Sequence, residues 1–268
     1  MKFSKHYCVP RQGPLRLAKW DSADTAGWDK DQARKKLTHH VERLAELQEQ
    51  FYADGRRSLL VILQGMDASG KDGTIRHVLS GLNPQGCQVT SFKTPTPVER
   101  AHDFLWRVHQ AVPARGMIGI FNRSHYEEVL VVRVNQLAPP AVWKSRYDQI
   151  NDFQRLLVRT GTVIVKFFLH ISKAEQKQRL QARLEDPRKN WKFNPEDLEM
   201  REQWPGFQRA YADALRRCHS RHAPWYIIPA DHKWFRNLVV SSILVETLAA
   251  LDLRFPKPTT DLSKIKIR

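Results

Sequence analysis

Residues 58 to 82 read Ser58-Leu-Leu-Val-Ile-Leu-Gln64, Gly65-Met-Asp-Ala-Ser-Gly70-Lys71-Asp72-Gly73-Thr74 and Ile75-Arg-His-Val-Leu-Ser-Gly-Leu82. A run rich in Val, Ile and Leu, too short for a helix, breaks at a glycine and passes into Ile75, Val78, Leu79 and Leu82, spaced along one helical face. This predicts a strand, a loop and a helix. Gly65 and Gly70-Lys71 stand at the spacing of a phosphate-binding loop, in which backbone N–H groups and a helix start face a polyanion and the lysine neutralises it. The helix start carries roughly half a positive charge, and glycines admit an oxygen that a Cβ would hold off. Ala68, Ser69, Gly70, Lys71, Asp72, Gly73 and Thr74, with Arg76 just beyond, are therefore candidate phosphate contacts.

Where such a loop carries Ser or Thr to hold Mg²⁺, this chain has Asp72, and Asp67 lies inside the loop. Carboxylates beside phosphate repel it unless a divalent cation stands between them, so Asp67 is the expected metal contact and Thr74 the weaker candidate. The bland alternative is a chance Gly-rich turn with Lys71 solvated. The flanking strand and helix favour phosphate.

Outward from the loop, 268 residues suffice for one α/β domain with an appendage. A net charge of +16 calls for an anionic partner, without choosing among nucleic acid, an anionic membrane and another polyphosphate. Cys8, Cys87 and Cys218 lie far apart with no Cys-x-x-Cys, which points to idle thiols in a reducing compartment and no structural zinc. Met1 to Pro10 has no apolar signal core and no apolar run approaches about 18 residues, so a soluble cytoplasmic protein is expected.

Pro10, Gly13, Pro14 and Gly27 mark residues 1–28 as an irregular surface arm. Leu37, Val41, Leu44, Leu47 and Phe51 predict a packing helix from Asp29 to Tyr52, without chemistry of its own. Cys87 to Phe92 alternates like a short strand; Lys93, a further candidate phosphate contact, leads past Pro95 and Pro97 into a helix expected from Val98 to Gln110. Gly116 to Phe121 is a buried-strand candidate ending in Asn122-Arg-Ser-His-Tyr-Glu-Glu128. Ligands bind at the carboxyl ends of parallel strands, so Asn122, Arg123 and Glu127 should face the loop; the alternative is a surface ion pair of Arg123 with Glu127. Val129 to Val134 fits a strand or a buried helix start, and Arg133 either reaches the surface or faces an anion. A helix from Ala141 to Thr160, a strand from Thr162 to Leu169, a strand from Pro224 to Ala230 and a helix from His232 to Leu253 complete an alternation that implies an α/β fold. That fold is a three-layer sandwich with a parallel central sheet, and the last ten residues form a tail.

Between the last two strands, Ser172-Lys-Ala-Glu175 opens a helix with a capping box and Asn194-Pro195 opens a second. The joining loop carries Arg188, Lys189 and Lys192 around Trp191, and Arg183 closes the first helix. A basic helical pair over residues 172–220 resembles a lid closing on phosphates; the alternative is a solubilising hairpin. No Ser-His-Asp arrangement or dinucleotide fingerprint competes. Phosphoryl transfer needs alignment, Mg²⁺ and surrounding cations, which Lys71, Arg123, Arg133, Arg183 and Lys189 would supply. If the acceptor is itself a phosphate, whose second pKa is about 6, it is ionised at neutral pH and needs no general base.

Gly65-Met-Asp-Ala-Ser-Gly-Lys-Asp-Gly73, Phe121-Asn-Arg-Ser-His-Tyr-Glu127 and Asp186-Pro-Arg-Lys-Asn-Trp-Lys192 closely resemble three signatures of the second family of polyphosphate kinases, and the likeness extends through Ala223 to Ala230 and Trp234-Phe-Arg-Asn237. The resemblance implies a P-loop kinase-like, thymidylate-kinase-like core with a helical lid, moving phosphate between inorganic polyphosphate and nucleotides with Mg²⁺, for which Mn²⁺ is the alternative ion. Carried over, Asp67 and Lys71 are the loop's metal and phosphate contacts, Arg123 clamps phosphate, and Arg183 and Lys189 are lid cations. Many members have aspartate at the place of Asn122 and asparagine at that of Glu127. Those departures resemble the subgroup acting on AMP as well as ADP, with Glu127 working through metal or ribose. Expected partners are polyphosphate, AMP, ADP and ATP, with guanine nucleotides as further acceptors and a homo-oligomer as a candidate assembly. The rival readings are an ATP-dependent nucleoside or nucleotide kinase on the same core and a basic nucleic-acid-binding protein. No RNA or DNA module signature supports the second, and no helix pairs a basic face with a broad apolar one as a membrane binder would.

Overall fold

The computed structural model describes residues 1–262 and 265–267. Helix α1 (Phe3–His6) precedes helix α2 (Lys30–Asp54), which Asp29 caps by accepting from the N–H groups of Asp31 and Gln32 and which ends on left-handed Gly55. Strand β1 (Ser58–Gln64) is buried along its whole length, as suits a strand flanked on both edges and covered on both faces. Helix α3 (Lys71–Val78) follows the loop, beginning earlier than the apolar spacing predicts. Edge strand β2 (Cys87–Ser91) leads to α4 (Pro97–Arg100) and α5 (Trp106–Gln110). The single helix expected from Val98 to Gln110 is therefore two short ones. Asp103 accepts from the N–H of Leu105 and interrupts the helical ladder between them.

Strand β3 (Ile118–Asn122) is followed by a tight turn over 125–129 and by α6 (Val131–Val134), so the ambiguous 129–134 run is a short helix. Helix α7 (Pro140–Arg159) and strand β4 (Thr162–His170) come next. The excursion between β4 and the last strand holds α8 (Lys173–Glu185), α9 (Glu196–Glu202) and α10 (Trp204–Arg217). Its second half is two helices rather than one, because Pro205 has no N–H to continue the ladder from α9. The Ser172 cap is half a capping box: Ser172 Oγ accepts from Glu175 N–H, but the Ser172 N–H goes to Asp231 and the Glu175 carboxylate to Arg179. Strand β5 (Trp225–Pro229) and helix α11 (Lys233–Ala249) close the fold.

The sheet order is β2-β3-β1-β4-β5, every neighbouring pair parallel. Helix α11 packs with α1, α2 and α3, while α7 packs on β4 and on the 125–129 turn. The first 28 residues have little regular structure but bury Phe3, Tyr7, Val9 and Leu17, and Cys8 bridges antiparallel to Tyr226. No helix among the described residues is long and apolar enough to cross a membrane. All strand ends that carry the predicted site share one edge.

Candidate active site

The register pairs Leu63 with Asn122, so β3 ends where Gly65 opens the loop after β1. At Gly65 (φ 156°) a Cβ would lie 2.7 Å from Ser69 Oγ and 2.8 Å from the Leu169 carbonyl, and at Gly70 (φ 102°) it would strike the buried Arg236 guanidinium. Only glycine fits either place. Ala68 (φ 61°) and Arg123 (φ 60°) also adopt left-handed backbone, which costs of order 1 kcal/mol each in residues with a Cβ. The first N–H groups of α3, from Lys71, Asp72 and Gly73, donate to no protein acceptor among the described residues. They form an open helix start of the kind that receives an anion.

Lys71 is buried and its Nζ donates to the carbonyl of Gly65 at 2.7 Å. Arg123 donates to Asp67 Oδ1 at 2.7 Å, and Asn122 Nδ2 donates to Asp72 Oδ1 at 2.7 Å. Burial alone would raise the Asp67 pKa, but the charges of Lys71, Arg123 and Arg183 outweigh it and hold the carboxyl below its usual range. For Lys71, burial prevails over the pull of Asp67 and moves the ammonium down. Asp197, which accepts from Arg183 at 3.1 Å, is pushed up to about 6 by burial and by the neighbouring charge of Asp67.

A cavity of about 1430 Å³ joins these groups. Its wall includes Asp67, Ala68, Gly70, Lys71, Asp72, Gly73, Lys93, Asn122, Arg123, Arg183, Lys189 and Lys192 from the predicted set. Ser69, Thr74, Arg76, Glu127 and Arg133 do not line it. Ser69 and Thr74 are buried, and the Thr74 hydroxyl donates back to the Gly70 carbonyl. Arg76 is exposed on α3. Arg133 is tied to Asp213 at 2.8 Å and stands over the Trp143 ring, at a separate shallow groove shared with Arg209. Glu127 is partly buried behind the wall, and burial raises its pKa against the pull of Arg123 and Lys71. His125, in the same segment, is buried and held neutral, its pKa lowered to about 3 by burial and by Lys166, and packs against Tyr126 and Phe153.

Sequence reasoning passed over several residues of this wall. Lys30 and Arg34, on a helix expected only to pack, border the cavity, as do Asp197 and Lys233. Arg236 reaches beneath the loop to the Ser69 carbonyl at 3.2 Å. Arg236 stands in the Trp234-Phe-Arg-Asn237 stretch at the start of α11, which carries part of the family resemblance but was given no role there.

A parallel sheet with a glycine-rich loop leading into a helix, and cations gathered at the strand ends, is a P-loop kinase-like scaffold built to handle phosphates. A family model described as Polyphosphate kinase 2 matches residues 27–256. Over 98% of this chain and 99% of the relative, the sequence is 52% identical to an AMP/ADP-polyphosphate phosphotransferase of Meiothermus ruber. It is 46% identical to an ADP-polyphosphate phosphotransferase of Rhodopseudomonas palustris, covering 96% of this chain and 93% of that one. The crystal structure of polyphosphate kinase 2 from Arthrobacter aurescens TC1 superposes with a TM-score of 0.94 at 42% identity, over 98% of this chain and 94% of that chain. The chain belongs to the polyphosphate kinase 2 family.

Proposed function

We propose that this enzyme transfers phosphoryl groups between inorganic polyphosphate and both AMP and ADP, using Mg²⁺, and that residues 172–220 close over the substrates as a lid. The observation that carries this reading is the convergence of Lys71 and Arg123 with Arg183, Lys189 and Lys192 on one cavity, which suits two phosphate chains meeting end to end. The names of the Meiothermus ruber and Rhodopseudomonas palustris relatives point the same way.

The donor set fits the metal. Asp67 Oδ2 is buried with no hydrogen-bond partner among the described residues, and Mg²⁺ is commonly held by one or two carboxylates together with substrate phosphates. Asp67 would hold the ion, with Asp197 alongside. When bound, it would neutralise phosphate oxygens and lower the charge barrier to their approach. The protein's own groups do the rest. The open N–H groups at the start of α3 receive one phosphate, while Lys71 and Arg123 supply fixed positive charge as the phosphoryl group passes. No base is needed for a phosphate acceptor already ionised at neutral pH. The three free thiols and the nucleotide substrates support work in the cytoplasm.

The test is a polyphosphate assay with AMP, ADP and GDP as separate acceptors, with and without chelator. ADP formed from AMP and ATP formed from ADP, both abolished by chelation, are expected. Product that appears only when ATP is the donor would point to an ordinary nucleotide kinase instead. Glu127, behind Arg123, bears on the choice of acceptor: Glu127→Ala should lower turnover with AMP at least about tenfold more than with ADP. Equal losses would remove it from that role.

A further inference from the structure

Every carbonyl from Gly65 to Gly70 accepts a hydrogen bond, and three consecutive ones are held by side chains from distant parts of the chain. Gln176 donates to Asp67 O at 3.0 Å, Arg179 Nη1 to Ala68 O at 2.9 Å and Ser69 O at 3.1 Å, and Arg236 also to Ser69 O. The other arm of Arg179, Nη2, donates to Ala230 O at 2.6 Å and Asp231 O at 2.9 Å, at the end of β5. Its Nε donates to Glu175 at 2.8 Å. All five N–H donors of this guanidinium are engaged, four of them on backbone carbonyls of two separate segments.

In a trans peptide the N–H points opposite to the carbonyl of the preceding residue. Holding the Asp67 and Ser69 carbonyls on the α8 side turns the N–H groups of Ala68 and Gly70 the other way. Both residues line the cavity, and neither N–H has a protein acceptor among the described residues. Left-handed Ala68 is kept in that conformation by the same grip on its carbonyl.

We propose that Arg179 is a positioning residue that holds the phosphate loop in its anion-accepting shape and ties it to the base of the helical excursion, so that α8 and the loop move as one body. The kinetic part of this inference rests on the phosphotransferase reading. Lysine cannot replace it: an ammonium has three donors and no planar fork, so at least one of the four carbonyls is released.

The test uses the full chain as Arg179→Lys and Arg179→Ala. In substrate-free protein, amide hydrogen exchange at Ser69, whose N–H donates to the Met66 carbonyl at 3.0 Å within the loop, should quicken about tenfold or more in Arg179→Lys, with exchange in the sheet unchanged. With polyphosphate and ADP, kcat should fall about 100-fold while KM for ADP stays within about threefold. Added guanidinium ion should restore part of the rate of Arg179→Ala. Unchanged loop exchange, unchanged kcat, or a uniform rise in exchange across the molecule would overturn the proposal. If the loop exchange shifts but the parent enzyme does not turn over polyphosphate, the functional reading fails while the clamp stands.

Discussion

Lys166 lies in the middle of β4 with no exposed surface, its Nζ 2.6 Å from Gln154 Oε1 and from the Cys218 carbonyl and 3.1 Å from the Tyr126 hydroxyl. Burial pushes its pKa down to about 7. Below about 7 the folded and unfolded chains both carry the proton; between there and the ordinary 10.5 only the unfolded chain does. Stability should therefore rise with pH across that window, by up to about 1.4 kcal/mol per pH unit from this residue. Denaturant unfolding of the parent and of Lys166→Met at pH 7 and pH 9 checks it: the parent should gain on the variant at the higher pH. Parallel behaviour would mean that the three acceptors keep the ammonium charged. Nothing in Thr162-Val-Ile-Val-Lys-Phe-Phe-Leu169 flags the lysine as buried, since its partners come from the 125–129 turn, α7 and the end of α10.

At the scale of elements, charge gathers on helices rather than strands. Lys30 and Arg34 of α2, Arg183 of α8 and the loop with Lys189 and Lys192 border one cavity. A linear polyanion held along such a wall displaces counterions, so KM for polyphosphate should rise steeply with salt. In the double variant Lys189→Ala with Lys192→Ala the dependence of log KM on log salt should flatten by about 1 to 2, as expected for one or two lost phosphate contacts. An unchanged slope in KCl titrations would take these lysines out of polyphosphate binding. The strands were legible from β-branched runs bounded by glycine and proline. The break at Asp103 was not, because only the hydrogen bond that its side chain accepts from Leu105 interrupts the helix there, whereas Pro205 is a helix-breaking signal in the sequence itself that was passed over.

At the scale of the whole molecule, the arm that proline and glycine mark as irregular is also part of the core. Phe3 is buried and meets Phe235 of α11 edge to face at 5.8 Å, and Tyr7 hydrogen-bonds Asp24. Phe3→Ala should lower the unfolding free energy by about 3 kcal/mol. Turnover below the new melting temperature should be retained, because Phe3 does not line the cavity. A variant as stable as the parent would show that the arm merely rests on α11. By itself the sequence determined the strand-loop-helix about Gly65, the parallel α/β alternation and the basic excursion, since glycine spacing, periodicity and charge belong to residues near one another in the chain. Only the tertiary structure decided which side chains grip the loop from 109 to 167 positions away, that Arg133 faces Asp213 instead of the cavity, and that α2 contributes to its wall. Those contacts arise when sheet edges and helix ends are brought together, and no local pattern records them.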